Sequence, residues 1–333
     1  MIQYIAPQFG KSPQGKRLER VRQSKHYKNG RFQPLDATPT ISDEFSLTNF
    51  LKASWKSRKI EKAPKHRVTS IKEDIKNLKN NQLIWFGHSS YLFKLEDKIF
   101  MVDPVLSGSA SPFSFSVRAF EGADIYSIED FPTIDYLLIT HDHYDHLDYK
   151  TVKNLEPKVK KVICGLGVGE HFELWKYPAS KIEEIDWYES LVLENNIEIT
   201  AAPVRHYSGR LFKRSQTLFC SFILRTPTKN MYIGGDTGYG THLKQIGEQY
   251  GPFDFGIIEC GQYNRMWKEI HMMPHDWANA LTDLKINKVL PVHFGKFKLA
   301  LHHWLEPIEL FEQEMKKIQI PMIHPEIGKI IDF

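Results

Sequence analysis

Four side chains able to bind a metal fall within six residues at His141-Asp-His-Tyr-Asp-His146. His141, His143 and His146 offer imidazole nitrogens and Asp145 a carboxylate, the donor types that borderline divalent ions such as zinc prefer. They follow the apolar run Tyr136-Leu-Leu-Ile139, which reads as a buried strand. A solvated histidine-rich loop does not need this spacing. Three more candidates follow in order: His206 after Ile197-Glu-Ile-Thr-Ala-Ala-Pro203, Asp236 after Met231-Tyr-Ile-Gly-Gly235, and His293 after Lys288-Val-Leu-Pro-Val292. Each comes directly after a short β-type run, so all seven would lie along one edge of a sheet sandwich. Taken alone, each of these last three reads as an ordinary polar residue. The set gives them their meaning. Seven ligands are too many for one tetrahedral zinc and suit two metals sharing a carboxylate. A hydroxide held between the ions would be the nucleophile, because bound metal lowers the pKa of water to about 7. The second ion would polarise a phosphoryl or carbonyl oxygen.

The elements around the motif must aim these groups. Lys98-Ile-Phe-Met-Val102 reads as a strand that ends at Asp103, which is placed to orient a ligand imidazole. Strand-like runs Gln82–Phe86 and Tyr91–Leu95 flank the turn Gly87-His-Ser-Ser90, which would bring His88 near the same edge. Strand and helix signals then alternate to the C-terminus, with no internal repeat and no linker. Leu47 to Arg58 predicts a short helix whose stripe of Leu47, Phe50, Leu51 and Trp55 reads as core packing, or else as a membrane face.

Composition bounds the class. The 333 residues are 41% hydrophobic, enough for a substantial core, and no apolar run reaches the roughly 18 residues of a membrane span. The N-terminus lacks the basic and apolar regions of a signal peptide, so a cytoplasmic location is expected. Cys164, Cys220 and Cys260 form neither a zinc ribbon nor a disulfide framework and read as small core residues. Residues 1–82 hold 18 Lys or Arg against 7 acids, within a net charge of +4. Residues 1–40 show little periodicity and read as an extended arm or a partly disordered segment. Residues 1–80 are thus expected to form a basic arm on a catalytic domain of residues 81–333. Such an arm could draw the protein to an anionic membrane surface; its plainer role is to wrap the core. Nucleic acid is not the expected partner.

The His-x-His-x-Asp-His motif with His206, Asp236 and His293 in this order resembles the metallo-β-lactamase superfamily. The resemblance implies an α/β fold, the four-layered αββα sandwich. It places His141, His143 and His206 on one metal, Asp145, His146 and His293 on the other, and Asp236 between them. Two divalent ions are implied, zinc first, with manganese or iron(II) as substitutes. Only 57 positions separate Asp236 from His293, too few for the cap domain of the nucleic-acid-cutting branch. The shared carboxylate argues against true β-lactamases.

Further motifs narrow the resemblance. Trp85-Phe-Gly-His88, Asp103-Pro104 with Ser111-Pro112, Asp142-His-Tyr-Asp-His-Leu-Asp-Tyr149 and Gly235-Asp-Thr-Gly-Tyr239 are similar to N-acylphosphatidylethanolamine-hydrolysing phospholipase D. So are Gly251-Pro-Phe-Asp254, His293-Phe-Gly-Lys-Phe297 and Leu305-Glu-Pro307, with a weaker echo at Gly30-Arg-Phe32 and Pro39-Thr40. The match covers about residues 80–310. It implies hydrolysis of a phospholipid phosphodiester to an N-acylethanolamine and phosphatidic acid, peripheral membrane contact, and a homodimer. Arg210 would bind the phosphate, His271 would contact the phosphate or assist the leaving group, and His303 would also face the substrate. Here Ile270, Met273 and His275 replace a glutamine, an acid and a glutamate of the family pattern, beside the expected substrate mouth. Tyr263, Met266, Trp267, Met272 and Met273 would line an apolar groove, unless they are ordinary helix packing. His26, His66, His171, His242 and His324 read as surface or structural residues. The alternative reading keeps the metals and assigns a small soluble substrate, a sugar-phosphate lactone or cyclic nucleotide. A non-catalytic binder fits an intact ligand set poorly.

Overall fold

A computed structural model of the chain describes residues 6–43, 45–211 and 213–333, so most of the N-terminal stretch read for a signal peptide lies outside it. Two mixed sheets stack face to face. The first has seven strands in the order Ile330–Asp332, Gln82–Trp85, Tyr91–Leu95, Lys98–Val102, Ile134–Ile139, Val159–Gly165 and Ile182–Ile185. The second has six, in the order Val289–Val292, Phe255–Glu259, Asn230–Ile233, Ser221–Arg225, Glu198–Ala202 and Ser190–Val192.

Side-chain alternation makes the layers. In Lys98–Val102, Phe100 and Val102 join the core shared with the second sheet. Ile99 and Met101 point to the other face, where they pack with Val152, Leu155, Phe172 and Trp175. Strand Ile134–Ile139 divides the same way, Leu138 inward and Leu137 and Ile139 outward. These strands are apolar on both faces because both faces are covered. Helices Tyr149–Leu155 and Gly169–Leu174 lie over the first sheet. Thr241–Gln249, Trp277–Leu284 and Glu306–Ile318 send Leu243, Ile246, Trp277, Leu281 and Phe311 into the other core. The result is the expected αββα sandwich, with Cys164, Cys220 and Cys260 buried as free thiols.

The strand directions position the site. Lys98–Val102, Ile134–Ile139 and Val159–Gly165 run parallel, as do Asn230–Ile233, Phe255–Glu259 and Val289–Val292. Parallel strands release the chain at a common edge, where α/β sheets place their ligands. Asp103, His141, Asp236, Glu259 and His293 all leave at these strand ends.

Two expectations change. The described part of residues 1–40, from residue 6 on, is not simply extended: Gly15–Gln23 is an α-helix, and Val21 and Phe32 are buried in the main core. That helix rests on ion pairs that local periodicity cannot show. Helix Leu47–Lys56 forms, N-capped by Ser46, but buries no residue. Leu47, Leu51 and Trp55, expected in the core, are 68%, 57% and 64% exposed. Among the described residues no helix is long and apolar enough to cross a membrane.

Candidate metal centre

Local backbone geometry aims the ligands. His88, Asp103 and His293 adopt left-handed φ values of 55°, 42° and 70°. Such positions cost on the order of 1–3 kcal/mol each and persist only where surrounding contacts over-determine them. Here they do. The His88 N–H donates to Phe294 O (2.8 Å), and the His293 N–H donates to His88 O (3.0 Å), tying the two sheet edges together. The Trp85 indole N–H also donates to His88 O (2.7 Å). Below this turn the fully buried Lys296 ammonium joins Phe86 O (3.0 Å), Val105 O (2.8 Å) and the Asp124 carboxylate (2.6 Å).

The sequence candidates converge into two groups around Asp236. His141, His143 and His206 form one, their ligand atoms all within 4.8 Å of one another. His88, Asp145, His146 and His293 form the other, within the same limit. His88, expected near this edge, lies beside Asp145 with Nε2 3.0 Å from its Oδ2. Asp236 lies between the groups. Its Oδ2 is 3.2 Å from His146 Nε2 and 3.8 Å from both His141 Nε2 and His206 Nε2, and its Oδ1 is 3.1 Å from His293 Nδ1.

Whether a cation fits is decided by the protons. Thr140 donates its hydroxyl to Asp103 Oδ2 (2.6 Å), so His141 Nδ1–H donates to that hydroxyl oxygen (3.0 Å). This leaves a lone pair on His141 Nε2. His206 Nδ1–H donates to Ile270 O (2.9 Å), leaving a lone pair on His206 Nε2. Both lone pairs converge on His143 Nδ1, at 2.9 and 3.2 Å, and one ring proton cannot satisfy both. His146 Nδ1–H donates to Asp103 Oδ2 (2.8 Å), and its buried Nε2 makes no hydrogen bond. Unprotonated nitrogens and carboxylates facing one space make a cation site.

For three of the histidines electrostatics favour the ligating form, and at His146 they report the negative charge around it. Burial drives the pKa values of His141, His206 and His293 well below the ordinary imidazole value, which favours the neutral, ligating form. Burial opposes charge at His146 too, but Asp236 and Asp145 outweigh it and raise its pKa well above ordinary. The centre attracts positive charge.

Glu259 was not legible as a site residue. It is buried at the end of its strand and accepts from His271 Nδ1–H (2.7 Å) and the Met272 N–H (2.9 Å). Burial raises the Glu259 pKa to about 7. Burial opposes the His271 imidazolium, but the Glu259 carboxylate prevails and raises the His271 pKa to about 9.

A cavity of about 440 Å³ opens over the centre, reaching His143, Asp145, His206, Asp236, His271 and His293. Met266 and Trp267 are among its walls, as the apolar-groove reading expects. Tyr263 and Met273 line a neighbouring cavity of about 690 Å³ that Met266 also borders, while Met272 is buried in the core. Two expected substrate contacts are corrected. Arg210 is buried outside the cavity, its guanidinium donating to Asp142 O and Leu147 O (2.8 Å each) and to Gln8 O (2.6 Å). It holds backbone and is buried away from the cavity in which a phosphate would sit. His303 also lies outside, accepting from the Leu305 N–H (3.3 Å). His26, His171 and His242 are buried structural residues.

The geometry makes Asp103 a test of ligand orientation. Its Oδ2 accepts from both His146 and the Thr140 hydroxyl while its Oδ1 accepts the Thr140 N–H (2.9 Å), a set an amide cannot keep because its NH2 would face one of these donors. Asp103→Asn is expected to weaken zinc binding about 10- to 100-fold in competition with a chromogenic chelator. Unchanged affinity would leave Asp103 without this role.

Comparison with known proteins agrees with the site. A family described as "Beta-lactamase superfamily domain" matches residues 99–294, more than half of the chain. An uncharacterized protein of Mycobacterium tuberculosis is 35% identical over 252 residues, covering 74% of this chain and 68% of that protein. The N-acyl-phosphatidylethanolamine-hydrolyzing phospholipase D 1 of Caenorhabditis elegans is 29% identical over 271 residues, covering 76% of this chain and 74% of that protein. Among solved structures, Igni18, a metallo hydrolase of Ignicoccus hospitalis, superposes with a TM-score of 0.60 at 18% identity, covering 76% of this chain and 97% of that one. With the family match, the sandwich and the convergent ligand cluster all in agreement, the chain belongs to the metallo-β-lactamase superfamily of metal-dependent hydrolases.

Proposed function

We propose that this protein is a binuclear metal-dependent phosphodiesterase of the phospholipase D type, cleaving N-acylphosphatidylethanolamine to an N-acylethanolamine and phosphatidic acid. The observation that carries the reading is one carboxylate, Asp236, shared between two ligand groups on the floor of a cavity with apolar walls. Resemblance to the nematode phospholipase supplies the substrate class. His141, His143 and His206 would hold one ion, Asp145, His146 and His293 the other, with Asp236 joining them and His88 supporting Asp145. Two bound divalent ions would supply a water of lowered pKa and positive charge against a phosphoryl oxygen. The protein's own residues orient these ligands through Asp103, Thr140 and the Ile270 carbonyl. His271, fixed by Glu259, is left with Nε2 to protonate the departing alkoxide. The test is a paired panel on metal-loaded protein: N-acylphosphatidylethanolamine in mixed micelles against bis-p-nitrophenyl phosphate and a soluble lactone. Release of N-acylethanolamine supports the reading. Turnover of the soluble substrates alone would replace it with a small-substrate hydrolase.

A lipid substrate needs an approach from a membrane, and features of the mouth support that reading. Ile41 and Phe45 border the cavity, and the exposed stripe Leu47, Leu51 and Trp55 follows them directly in sequence. Across residues 52–67 the chain carries seven Lys or Arg and one acid, Glu61. An apolar stripe beside basic side chains suits the interface of an anionic bilayer. Each buried apolar side chain contributes about 1.5–3 kcal/mol. The double variant Leu51→Glu, Trp55→Ala should therefore bind anionic vesicles at least about tenfold more weakly in sedimentation, while bis-p-nitrophenyl phosphate turnover holds. Undiminished vesicle binding would remove this helix from the docking surface.

A further inference from the structure

The loop that carries His141, His143, Asp145 and His146 is not a strand, and the backbone bonds within it are His146 N–H and Leu147 N–H to His143 O (3.1 and 2.8 Å). Its shape therefore depends on side-chain anchors. Two lie behind it, on the side away from the cavity.

The first is Asp142, the residue between two ligands. Its Oδ1 accepts the Gly209 N–H (2.6 Å), and its Oδ2 accepts the Thr217 hydroxyl (2.8 Å) and His171 Nε2–H (3.0 Å). The second is Arg210, which clamps the carbonyls of Asp142 and Leu147 across the loop. Both anchors continue into the same N-terminal segment. His171 Nδ1 accepts the Lys11 N–H (2.9 Å), and Arg210 donates to Gln8 O (2.6 Å). The Trp175 indole N–H adds a bond to Pro7 O (2.8 Å). Because its Nδ1 accepts and its Nε2 donates, His171 is held as one tautomer bridging arm and loop.

The segment is shaped for this place. Gly10 has φ 70° and lies so close to the His171 ring that a Cβ there would collide with it. Downstream, Arg17 pairs with Glu170 (3.1 Å), Glu173 (2.9 Å) and Glu184 (2.7 Å), and Lys11 pairs with Glu170 (2.5 Å). Arg17, Glu170 and Glu184 are largely buried, so salt screens their pairing little. All of this segment lies outside residues 99–294, the part the family shares.

We propose that Pro7–Lys11, pinned by Arg17, is a clip that holds the ligand loop in its metal-binding shape, with His171 as the positioning residue that transmits the hold. The clip acts on metal retention. It rests on the metal centre of the proposed function but not on its lipid substrate, so its test uses zinc alone.

The experiment follows zinc leaving the zinc-loaded, full-length protein into excess chromogenic chelator, with amide hydrogen exchange read across residues 140–148. His171→Phe keeps the ring but neither bond, and at least tenfold faster release with faster exchange is expected. His171→Gln, whose amide carries a donor and an acceptor, should stay within threefold of the parent. Lys11→Pro removes the N–H that reaches His171, together with the Lys11 ion pair to Glu170, without touching the loop, and it should also release zinc at least tenfold faster. Circular dichroism verifies that each variant is folded. Parental release from folded Lys11→Pro would overturn the proposal, as would His171→Gln losing zinc as fast as His171→Phe.

Discussion

Replacing Asp236 with alanine is expected to lower turnover at least about 10³-fold and to strip metal from the protein. The size follows from position. Among the described residues, Asp236 is the one carboxylate within 3.8 Å of His141, His146, His206 and His293 together. Without it, the lone pairs of His141 and His206 and the bare Nε2 of His146 would face bound cations with less compensating negative charge. Metal affinity then falls, and the link between the two groups is gone. Loss of folding is separable from loss of metal by linkage: a ligand at 1,000 times its Kd stabilises by about 4 kcal/mol. The parent should therefore melt several degrees higher with zinc than without, whereas Asp236→Ala should melt at nearly the same temperature in both. Metal analysis after gel filtration provides the second reading. A variant that kept two ions and the zinc-induced rise would show that Asp236 does not join the groups.

This prediction rests on residues that the sequence exposes unusually well, and the reason is topological. Short apolar runs marked the strands, and parallel strands end at one edge, so a polar residue just after each run becomes a neighbour of the others. Asp103, His141, Asp236 and His293 were legible on that ground, and the observed strands lie within a residue or two of the runs that announced them. Glu259 also sits at a strand end, and the signal was there: one acid closes the apolar run Phe255–Glu259. It was missed because its meaning needs His271, a partner twelve residues away that only the fold brings to 2.7 Å. The direct place of His88 beside Asp145 was hidden likewise, across 57 positions.

The misreadings share another cause. Arg210 was assigned by its match to a family arginine and the Leu47 stripe by its helical spacing, and neither tells which side of the surface a residue occupies. An arginine four residues after His206 reads as a phosphate contact, yet Arg210 is enclosed by carbonyls of the ligand loop and of the distant arm. An amphipathic stripe reads as core, yet among the described residues no element covers Leu47, Leu51 and Trp55. Helix Gly15–Gln23 escaped notice because Arg17, Glu170 and Glu184, separated by more than 150 positions, hold it in place. Long-range electrostatics leave no local period to find.

The Glu259–His271 pair should separate catalysis from metal binding. Glu259 fixes His271 through Nδ1 and also holds the Met272 N–H, so the imidazole is presented at the cavity rather than free to rotate. Its ring stacks 5.3 Å from that of His293, within reach of a leaving group at the centre. Proton delivery to the leaving oxygen typically contributes 10²–10⁴-fold, and only where that oxygen needs a proton. His271→Ala is therefore expected to lower kcat about 10²- to 10³-fold on a phosphodiester with an alkyl leaving group. On bis-p-nitrophenyl phosphate, whose leaving group departs as a stable anion, the loss should be under about tenfold. Glu259→Gln should show the same leaving-group contrast at smaller size, because its amide oxygen can still accept from Nδ1–H, though it brings no charge and gives up the Met272 N–H. Zinc content should stay at the parental level in both variants. An equal loss on the two substrates would remove His271 as the proton donor. Loss of zinc in step with activity would make the pair part of the metal site.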